Sequence, residues 1–537
     1  MSYEFTIERV SAIRMRIHSD EECIHDELNE FFKFPDPSYD PDSYRHRKWD
    51  GMKRLYTKKS GLIDIGLLEW VLKFAVMNKY KYTIDPRLNY LRKETPDSMV
   101  EYVDGLKLSR WDENNEAVEL IPYQYQYNGV YCAIKKRRKI LLAATGAGKS
   151  LMQYIIARYY LDEAVLNETE AKILMVVPSQ MLCTQMRDNF IEYSQYNGFN
   201  TDAHLHLIYN GATKMTNKPI VIATWQGIQN EDADWFKQFT HLCVDEVHGA
   251  KAEKVTHICK SCINAEDRIG LTGTLNNKEL HQLQCTAHFG SPETIVTTKQ
   301  LQELGQAADT MITMINCNYQ MDDRKFVKNL DYVGEIETIM SHPYRNKMIL
   351  SFARTLKGNT LLIFDRVAHI EYIAEELKKL KKNVYTINGK VDQAERDHIK
   401  KLTESGDDVT ILASYGTMST GVSIKKLHNL VFCHPSKSII RVLQTVGRLL
   451  RMHSTKDRAN IFDLVDVFKC SAKDDPNTAM KHAKERYGFY VEHEHKTCFK
   501  TYEMNALLPK DDREEIKERS DKRKRAAKAR KERNKFN

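Results

Sequence analysis

The chain has 537 residues, of which 42% are hydrophobic and 29% are charged, and its formal net charge at pH 7 is +8. This length allows about three or four domains with separate cores, and the composition is that of a soluble globular protein. No apolar run approaches the ~20 residues that a membrane span needs, so no membrane contact is expected. The N-terminus also lacks the basic and apolar regions of a secretion signal.

The cysteines are scattered along the chain without framework spacing, which indicates reduced thiols in a cytoplasm. The one close pair is Cys259 and Cys262, with His257 nearby, and no second pair follows at zinc-site spacing. We therefore predict that these cysteines lie on a helix and hold no metal.

Residues 1–93 have the pattern of a small α+β domain. Apolar residues alternate with basic ones at 13–18, and aromatic and apolar residues alternate at 80–84, which predicts strands. Helical spacing at 67–75 predicts a helix between them. The polar residues 94–116, which include Pro96, are predicted to be a linker.

The turn at residues 47–51 places an aromatic side chain between cations. Arg47, Lys48 and Trp49 could hold a phosphate backbone and stack a base, which makes them candidate nucleic-acid contacts. The alternative is that Trp49 belongs to the core of the small domain.

Residues 117–302 alternate short apolar runs with helical patterns, which predicts βαβ units and a doubly wound parallel sheet. The predicted strands are 140–142, 173–177, 205–208, 220–223, 242–244 and 269–271. Ligands bind beyond the carboxyl ends of such strands. The polar residues that follow each run are therefore the candidates for a site.

The same rhythm continues in residues 303–470 without a second phosphate loop, which predicts a second α/β domain of this kind. Its predicted strands are 311–315, 361–364, 384–387, 409–413, 430–432 and 461–464. Residues 471–507 are predicted to add a helix and a short strand.

The last segment, residues 508–537, is predicted to be a disordered charged tail. Residues 522–535 contain nine basic residues and one acid, and a polyanion is the obvious partner for such a run. The alternative is a tail that only improves solubility.

The strongest local signal lies at residues 140–150, where an apolar run leads into a glycine turn and then into a helical pattern. The backbone amides of such a turn close around phosphate oxygens at the positive end of the helix. Lys149 can reach the β- and γ-phosphates, and the Ser150 hydroxyl can ligate Mg²⁺. The predicted ATP contacts here are Thr145, Gly146, Ala147, Gly148, Lys149 and Ser150. The usual pattern begins with glycine, and Ala143 stands at that position.

A carboxylate pair follows the predicted strand at 242–244. Asp245 would hold Mg²⁺, and Glu246 would polarise the attacking water, which is the chemistry of phosphoanhydride hydrolysis. His248 could relay the state of the γ-phosphate to its neighbours.

A second strong signal is the helical pattern at residues 444–451. Gln444, Arg448 and Arg451 lie on one face of such a helix. The two guanidinium groups could stabilise charge on the γ-phosphoryl group, as an arginine finger does. All three residues are predicted to be catalytic, together with Lys149, Asp245 and Glu246.

These motifs, in this order on two α/β domains, resemble those of superfamily 2 helicases, so the resemblance implies two RecA-like domains. It also implies that Gln126, 23 residues before Lys149, reads adenine, and that residues 271–274 couple hydrolysis to movement. The residues that match the family's contacts to one nucleic-acid strand are Pro178, Ser179, Thr224, Gln226, Thr417, Thr420 and Gly421. An aspartate that many relatives carry near Ser423 is absent.

The chain more closely resembles the UvsW-type recombination helicases of T-even bacteriophages, at residues 47–51, 147–151, 157–161, 413–416 and 419–423. That resemblance implies an ATP- and Mg²⁺-dependent enzyme that acts on branched, single-strand and duplex DNA. It would migrate Holliday junctions, regress forks, unwind D-loops and R-loops and anneal strands. RNA would be a partner in R-loops. The protein would work as a monomer in the cytoplasm of the infected host, and a single-strand binding protein or recombinase is a further candidate partner.

Two other functions stay open. The first is an ATP-dependent RNA remodeller, because this type of acidic box occurs in both groups. The second is a strand-annealing binder whose ATPase only resets it. A translocase subunit of a restriction enzyme is less favoured, because no nuclease-type carboxylate–lysine cluster is evident.

Overall fold

The computed structural model describes residues 4–36, 39, 50–89, 91–112, 114–209, 211–248, 253–275, 279–381, 383–389, 391–419, 424, 426–435 and 458–536. The chain divides into two compact units, residues 1–297 and 298–537. Eight of the predicted site residues lie outside the described residues: Arg47, Lys48, Trp49, Thr420, Gly421, Gln444, Arg448 and Arg451.

The N-terminal part of the first unit is a small α+β domain. Its elements are β1 (Glu4–Arg9), β2 (Arg14–His18), α1 (Glu22–Phe31), β3 (Lys33–Pro35), β4 (Met52–Arg54), β5 (Leu62–Asp64), a 3-10 helix (Ile65–Leu67), α2 (Leu68–Asn78), β6 (Lys81–Ile84) and a 3-10 helix (Pro86–Leu88). The main sheet has the order β5-β2-β1-β6, and β3 pairs with β4. Met15 and Ile17 of β2 share one buried core with Phe74 of α2, as the alternating pattern predicted.

Residues 94–116 are folded, which corrects the prediction of a linker. They form α3 (Pro96–Gly105) and β7 (Ser109–Trp111), and β7 pairs with β8 (Ala117–Glu119). Thr95 and Ser98 form a reciprocal capping box at the start of α3. Pro96 occupies the first turn of this helix, where its missing N–H costs nothing, so the proline begins a helix rather than marking a break.

The rest of the first unit is a doubly wound α/β domain. Its elements are α4 (Gln124–Lys136), β9 (Arg138–Ala143), α5 (Lys149–Leu166), β10 (Ile173–Val177), α6 (Gln180–Tyr193), α7 (Thr201–His204), β11 (Leu205–Ile208), β12 (Ile220–Thr224), α8 (Trp225–Ile228), α9 (Ala233–Phe236), β13 (His241–Asp245), α10 (Glu253–Ser261), β14 (Asp267–Thr272), α11 (Glu279–Phe289) and β15 (Pro292–Val296). The seven-stranded sheet has the order β11-β12-β10-β13-β14-β9-β15, and every neighbouring pair is parallel.

All six strands predicted for this domain are present. Strands β10 and β12 are buried along their whole length, as expected of a parallel sheet covered on both faces. The sequence did not predict β15. It is an edge strand whose first four residues alternate between exposed and half-buried positions, so it has no continuous apolar run.

The small domain is packed onto the α/β domain of the first unit. Leu283 and Ala287 of α11 belong to the hydrophobic core of the small domain. A Cβ atom on Gly66 would lie 2.0 Å from the carbonyl oxygen of Thr286, so only glycine permits this approach. The guanidinium of Arg138 donates a hydrogen bond to the carbonyl oxygen of Ala12.

The second unit contains another seven-stranded parallel sheet, and together the two sheets confirm the predicted RecA-like architecture. Its elements are α12 (Thr298–Glu303), β16 (Asp309–Asn318), α13 (Met321–Lys328), α14 (Tyr332–Ser341), α15 (Pro343–Thr355), β17 (Thr360–Phe364), α16 (Val367–Lys378), β18 (Val384–Ile387), α17 (Gln393–Ser405), β19 (Thr410–Ser414), α18 (Tyr415–Ser419), β20 (Asn429–Phe432), β21 (Arg458–Val467), α19 (Thr478–Glu492), β22 (Lys496–Glu503) and α20 (Lys510–Phe536). The sheet order is β18-β19-β17-β20-β21-β16-β22. The boundary between the units falls at residue 297, slightly before the predicted position.

The charged C-terminal segment is a helix, α20, which corrects the prediction of a disordered tail. Its acidic residues cluster toward its N-terminus and its basic residues toward its C-terminus, which is the favourable arrangement for the helix dipole. Ile516 and Ser520 are buried against the second unit. Packing of one face therefore supplies order that the local charge pattern did not reveal.

Among the described residues, none of the helices combines the length and apolar character needed to cross a bilayer, and no group of three or more His, Cys, Asp or Glu residues could hold a metal ion. Cys259 lies on α10, and Cys262 directly follows that helix. Both are buried free thiols.

Candidate active site

The phosphate loop joins β9 to α5 and depends on two glycines. Gly146 and Gly148 have φ values of +90° and +78°, in the left-handed region where a residue with a Cβ atom is strained. Gly148 is the residue directly before α5. The turn therefore presents the N-terminus of an 18-residue helix, with its unsatisfied amides and positive dipole, to the mouth of the loop.

Gln126 braces this loop from α4. Its side-chain amide donates a hydrogen bond to the carbonyl oxygen of Ala147 at 3.0 Å and accepts one from the backbone amide of Tyr123 at 2.9 Å. A Cβ atom on Gly148 would lie 2.1 Å from Gln126 Nε2. The structure therefore places Gln126 against the loop backbone, and its role in reading adenine stays a prediction.

Lys149, Ser150 and Asp245 are the candidates for binding the phosphates and a cation. Lys149 begins α5, and its ammonium group donates a hydrogen bond to the carbonyl oxygen of Ala143 at 3.2 Å. Asp245 ends β13, and its Oδ1 atom is buried without a hydrogen-bond partner among the described residues. Such an atom is costly unless an ion or a water satisfies it. A carboxylate and a hydroxyl are oxygen ligands of the kind Mg²⁺ prefers, so these residues fit the cation.

Glu246 is held in an unusual backbone conformation by its neighbours. Its φ is +51°, which is uncommon for a residue other than glycine and indicates strain maintained by the surrounding structure. Its Oε2 atom accepts a hydrogen bond from the Thr272 hydroxyl at 3.1 Å and lies 3.2 Å from His248 Nδ1. The His248 nitrogen is also 3.0 Å from the Thr272 hydroxyl. The three side chains therefore form one network at the ends of β13 and β14.

The two adjacent carboxyl groups have pKa values shifted in opposite directions. Burial and the negative charge of Glu246 raise the pKa of Asp245. Burial opposes ionisation of Glu246, but hydrogen bonds from His248 and Thr272 and the charge of Lys149 outweigh it, so the pKa of Glu246 is lowered. Glu246 is therefore an ionised acceptor that can orient a water molecule, and an added cation would favour the ionised form of Asp245.

The predicted strand contacts of the first unit lie at the carboxyl ends of neighbouring strands. Ser179 follows β10 and caps α6, and Thr224 ends β12 and caps α8. Thr224 is buried, and its hydroxyl accepts a hydrogen bond from the amide of Gly227 at 3.1 Å. Pro178 is half-buried and Gln226 is exposed. The structure thus brings these residues to the same edge of the sheet as the phosphate loop.

Thr417 is the one predicted strand contact of the second unit within the described residues. It is buried on α18, and its hydroxyl is 2.7 Å from that of Ser414. Its backbone amide also donates to Ser414 Oγ at 3.2 Å. The hydroxyl groups of Thr224 and Thr417 therefore shape the backbone, and their roles as direct nucleic-acid contacts stay predictions.

The motif at residues 271–274 predicted a role in coupling hydrolysis to movement, but the sequence did not identify the hydrogen-bond partners of Thr272. It also missed the contact between Gln126 and Ala147. Parallel pairing of β13 with β14 sets Asp245 opposite Leu271, which predicts that the residues after these positions meet. The sequence alone does not contain that register.

Comparison with known proteins identifies the family to which the two α/β domains, the motor domains, belong. Residues 111–277 match the family model described as type III restriction enzyme, res subunit, and residues 344–453 match the helicase conserved C-terminal domain. The ATP-dependent DNA helicase uvsW of Enterobacteria phage T4 is 34% identical over 482 residues, which cover 88% of this chain and 92% of the relative. The chain belongs to the UvsW family of ATP-dependent DNA helicases.

Membership in the UvsW family makes this chain an ATP-driven helicase and a nucleic-acid-binding enzyme, as the motifs predicted. The crystal structure of T4 UvsW is 30% identical, with a TM-score of 0.49, and the match covers 93% of this chain and 100% of that one. A fragment of a type I restriction enzyme HsdR subunit from Vibrio vulnificus YJ016 shares the fold, with 15% identity and a TM-score of 0.52 over 76% of this chain and 83% of that one.

Proposed function

We propose that this helicase uses ATP hydrolysis to remodel branched DNA: it migrates Holliday junctions, regresses forks and unwinds D-loops and R-loops. The observation that carries the proposal is the similarity to a DNA helicase over 88% of the chain, a larger share than the two α/β domains occupy. Its place of action would be the cytoplasm of an infected bacterium. It would act as a monomer, with a single-strand binding protein or a recombinase as further candidate partners.

The ATP half of the proposal is supported by the geometry of the first unit. Lys149 and the α5 amides would bind the β- and γ-phosphates, and Ser150 and Asp245 would hold Mg²⁺. When bound, the cation supplies positive charge to the phosphate oxygens. Glu246, ionised and fixed by Thr272 and His248, would orient the attacking water. Arg448 and Arg451, with Gln444, would stabilise the charge that develops on the γ-phosphoryl group.

The coupling half of the proposal is supported by the shared edge of the first sheet. Pro178, Ser179, Thr224 and Gln226 would contact the phosphates of one strand next to the phosphate loop, and Thr417, Thr420 and Gly421 would do so in the second unit. Such backbone contacts carry little sequence information, so substrate choice would depend on shape. The small domain, with Arg47, Lys48 and Trp49, is the proposed duplex reader.

The packing of the small domain on the first α/β domain supports its proposed role as the duplex reader. Glu69 lies 3.3 Å from Lys139 of β9, and Arg9 forms an ion pair with Glu266. Buried and charged contacts of this kind hold the small domain in a fixed position on the first motor domain. A duplex bound by the small domain would then keep a constant distance from the ATP site during each hydrolysis cycle.

Two variants test the assignment of the ATP site. We expect Lys149→Ala and Glu246→Gln to abolish ATP turnover while binding to a DNA fork survives. Both quantities can be measured on the same preparation, by steady-state ATPase and by fluorescence anisotropy. Normal turnover in either variant would reject the assignment.

A panel of nucleic acids tests the substrate. Wild-type ATPase is measured with matched fork, four-way junction, duplex DNA, single-strand DNA and single-strand RNA at two salt concentrations, because phosphate contacts make affinity depend on salt. We expect the fork or the junction to stimulate hydrolysis most. Equal or better stimulation by RNA would instead favour an RNA remodeller, and annealing without fork reversal would favour a strand-annealing protein.

A further inference from the structure

The cationic end of the chain belongs to helix α20, and an earlier part of this helix, residues 513–523, is anchored to the second unit. We call residues 513–523 the root. Residues Arg513, Ile516, Ser520 and Arg523 of α20 follow one another at intervals of three or four, so they lie on one face. Ile516 is 1% exposed and Ser520 is 0% exposed. This face therefore packs against the second unit.

Ion pairs fix the same face. Arg523 pairs with Asp331 at 2.9 Å and with Glu337 at 3.2 Å, and Arg513 pairs with Asp323 at 2.7 Å. Asp323 is fully buried, and Asp331 caps α14. Because the acids belong to rigid helices, the direction of α20 is set by the body of the domain.

Directly after Lys524, the next five side chains no longer pack on that body. Arg525, Ala526, Ala527, Lys528 and Ala529 are all exposed, although alanine is readily buried when a neighbour is present. The helix continues to Phe536. At 1.5 Å per residue, the helix from residue 525 to Phe536 is about 18 Å long.

The net positive charge of α20 is confined to its C-terminal segment, residues 522–535. Residues 510–521 contain six acids and four bases, whereas residues 522–535 contain nine bases and one acid. The net charge of this segment is +8, or +7 without Arg523, which is paired with Asp331 and Glu337. Spread over about 21 Å of helix, this density is of the same order as the one phosphate per ~1.7 Å along duplex DNA. A solubilising tail would not require this separation of charge or an anchored root.

The composition of this C-terminal segment favours a duplex over a single strand. Single-strand binding surfaces combine cations with aromatic side chains on which bases stack. α20 has one aromatic residue, Phe536 at its last position, and residues 522–535 contain none. Attraction to closely spaced phosphates is therefore the interaction that this end can offer.

The root lies at the edge of the second sheet where the predicted strand contacts also lie. Asp323 is on α13, which directly follows β16, and Thr417 follows β19. Both strands belong to one parallel sheet, so their carboxyl ends meet the same edge. A duplex held by α20 would adjoin the path of the translocated strand.

We propose that the C-terminal segment of α20, residues 522–535, is a helical cationic arm that binds the phosphate backbone of duplex nucleic acid without regard to sequence. This inference rests on the proposed function, because the duplex would be one branch of the branched DNA substrate. The anchored root keeps the arm in place while the motor acts on one strand.

The test uses the full-length protein with Lys522→Gln, Arg525→Gln and Lys528→Gln combined, all at exposed positions of the arm. The matched control combines Arg354→Gln, Lys357→Gln and Lys378→Gln. These are also exposed, remove the same charge, and lie near the starts of β17 and β18, at the opposite edge of the sheet. Binding to a labelled duplex and to a single strand of equal length is measured by anisotropy without ATP, across about 50–200 mM salt.

We expect the arm variant to bind the duplex at least about tenfold more weakly at the lowest salt. The slope of log affinity against log salt should become shallower by about 2–3, because each lost phosphate contact contributes about 0.9 to the slope. The control variant should stay within twofold of wild type, and basal ATPase should be unchanged in both. Single-strand affinity should fall less than duplex affinity.

Three results would contradict the proposal. The first is an equal loss of duplex affinity in the arm and control variants, and the second is a loss of single-strand affinity as large as the loss of duplex affinity. The third is unchanged duplex binding together with lost binding to a poly-glutamate peptide. The last result would indicate an acidic protein partner. Because the assay contains no ATP, its outcome is independent of whether forks stimulate the ATPase. Failure of the proposed function would appear in the wild-type ATPase panel instead.

Discussion

The hydroxyl group of Thr272 lies 3.1 Å from Glu246 Oε2, across the neighbouring strands β14 and β13. The same hydroxyl is 2.8 Å from the carbonyl oxygen of Thr274. One hydroxyl proton can serve only one of these acceptors at a time. Thr272 can therefore connect the residue proposed to orient water with the backbone of the segment predicted to couple hydrolysis to movement.

We expect Thr272→Val to lower the ATPase kcat about 10–100-fold, because a hydrogen bond to a charged group contributes about 1.5–3 kcal/mol. Affinity for ATP should change little, since the Thr272 hydroxyl bonds to Glu246 and Thr274 rather than to the phosphate loop. Steady-state kinetics and nucleotide binding measure the two effects separately. Thr272→Ser keeps the hydroxyl and should retain most activity; equal losses in both variants would contradict a role for the hydrogen bond.

We expect Gly148→Ala to weaken ATP binding at least tenfold. The new Cβ atom would meet Gln126 Nε2 at 2.1 Å, and a left-handed residue with a Cβ costs about 1–2 kcal/mol. Gly146→Ala is the control, because it has a similar φ and open space around the added atom. Adding Gln126→Ala should recover part of the Gly148→Ala loss. Strictly additive losses in this double-mutant cycle would show that the predicted clash does not occur.

We expect Asp267→Asn to lower the free energy of unfolding of the first unit by about 3–5 kcal/mol, as happens when a buried charge loses its partner. Asp267 is 1% exposed and pairs with both Arg92 and Arg137. Urea unfolding measures the change. Glu163→Gln is the control, since Glu163 is more exposed and Arg92 would keep Asp267; an equal effect of the two substitutions would contradict a special role for Asp267.

We expect the second unit to lose stability as the pH falls below neutrality, in part through His369. Burial and the positive charge of Arg345 lower the pKa of His369 to about 3, whereas histidine in an unfolded chain titrates near 6.5. Between these values only the unfolded chain gains the proton. The stabilisation is therefore complete above about pH 6.5 and is lost progressively as the pH falls.

The variant His369→Gln tests this dependence, because glutamine can still donate to Asn346 Oδ1, which lies 2.9 Å from His369 Nε2. Between pH 6 and 4 we expect the slope of unfolding free energy against pH to decrease by about 1.4 kcal/mol per unit. Urea titrations at several pH values measure it. The exposed His398→Gln should leave the slope unchanged; a normal slope in His369→Gln would contradict the prediction.

The sequence by itself determined the features that depend on local pattern. Apolar runs of three to five residues between helical patterns predicted most strands of both sheets, because a strand buried on both faces needs such a run. The phosphate loop and the Asp245–Glu246 pair were also evident, because their chemistry requires fixed residue types at short spacing. The edge strand β15 was not predicted, because one of its faces is exposed to solvent and it therefore lacks a continuous apolar run.

Only the tertiary structure decided which distant groups meet. Gln126 against Ala147 and Thr272 against Glu246 depend on how helices and strands pack, which no spacing in the chain records. The C-terminal segment shows the same limit. Its charge pattern alone is typical of a disordered tail, but Ile516 and Ser520 are buried, and Arg523 meets acids on α14 that are almost 200 residues earlier. Order there arises from long-range packing and ion pairing, and those interactions exist only once the second sheet has folded.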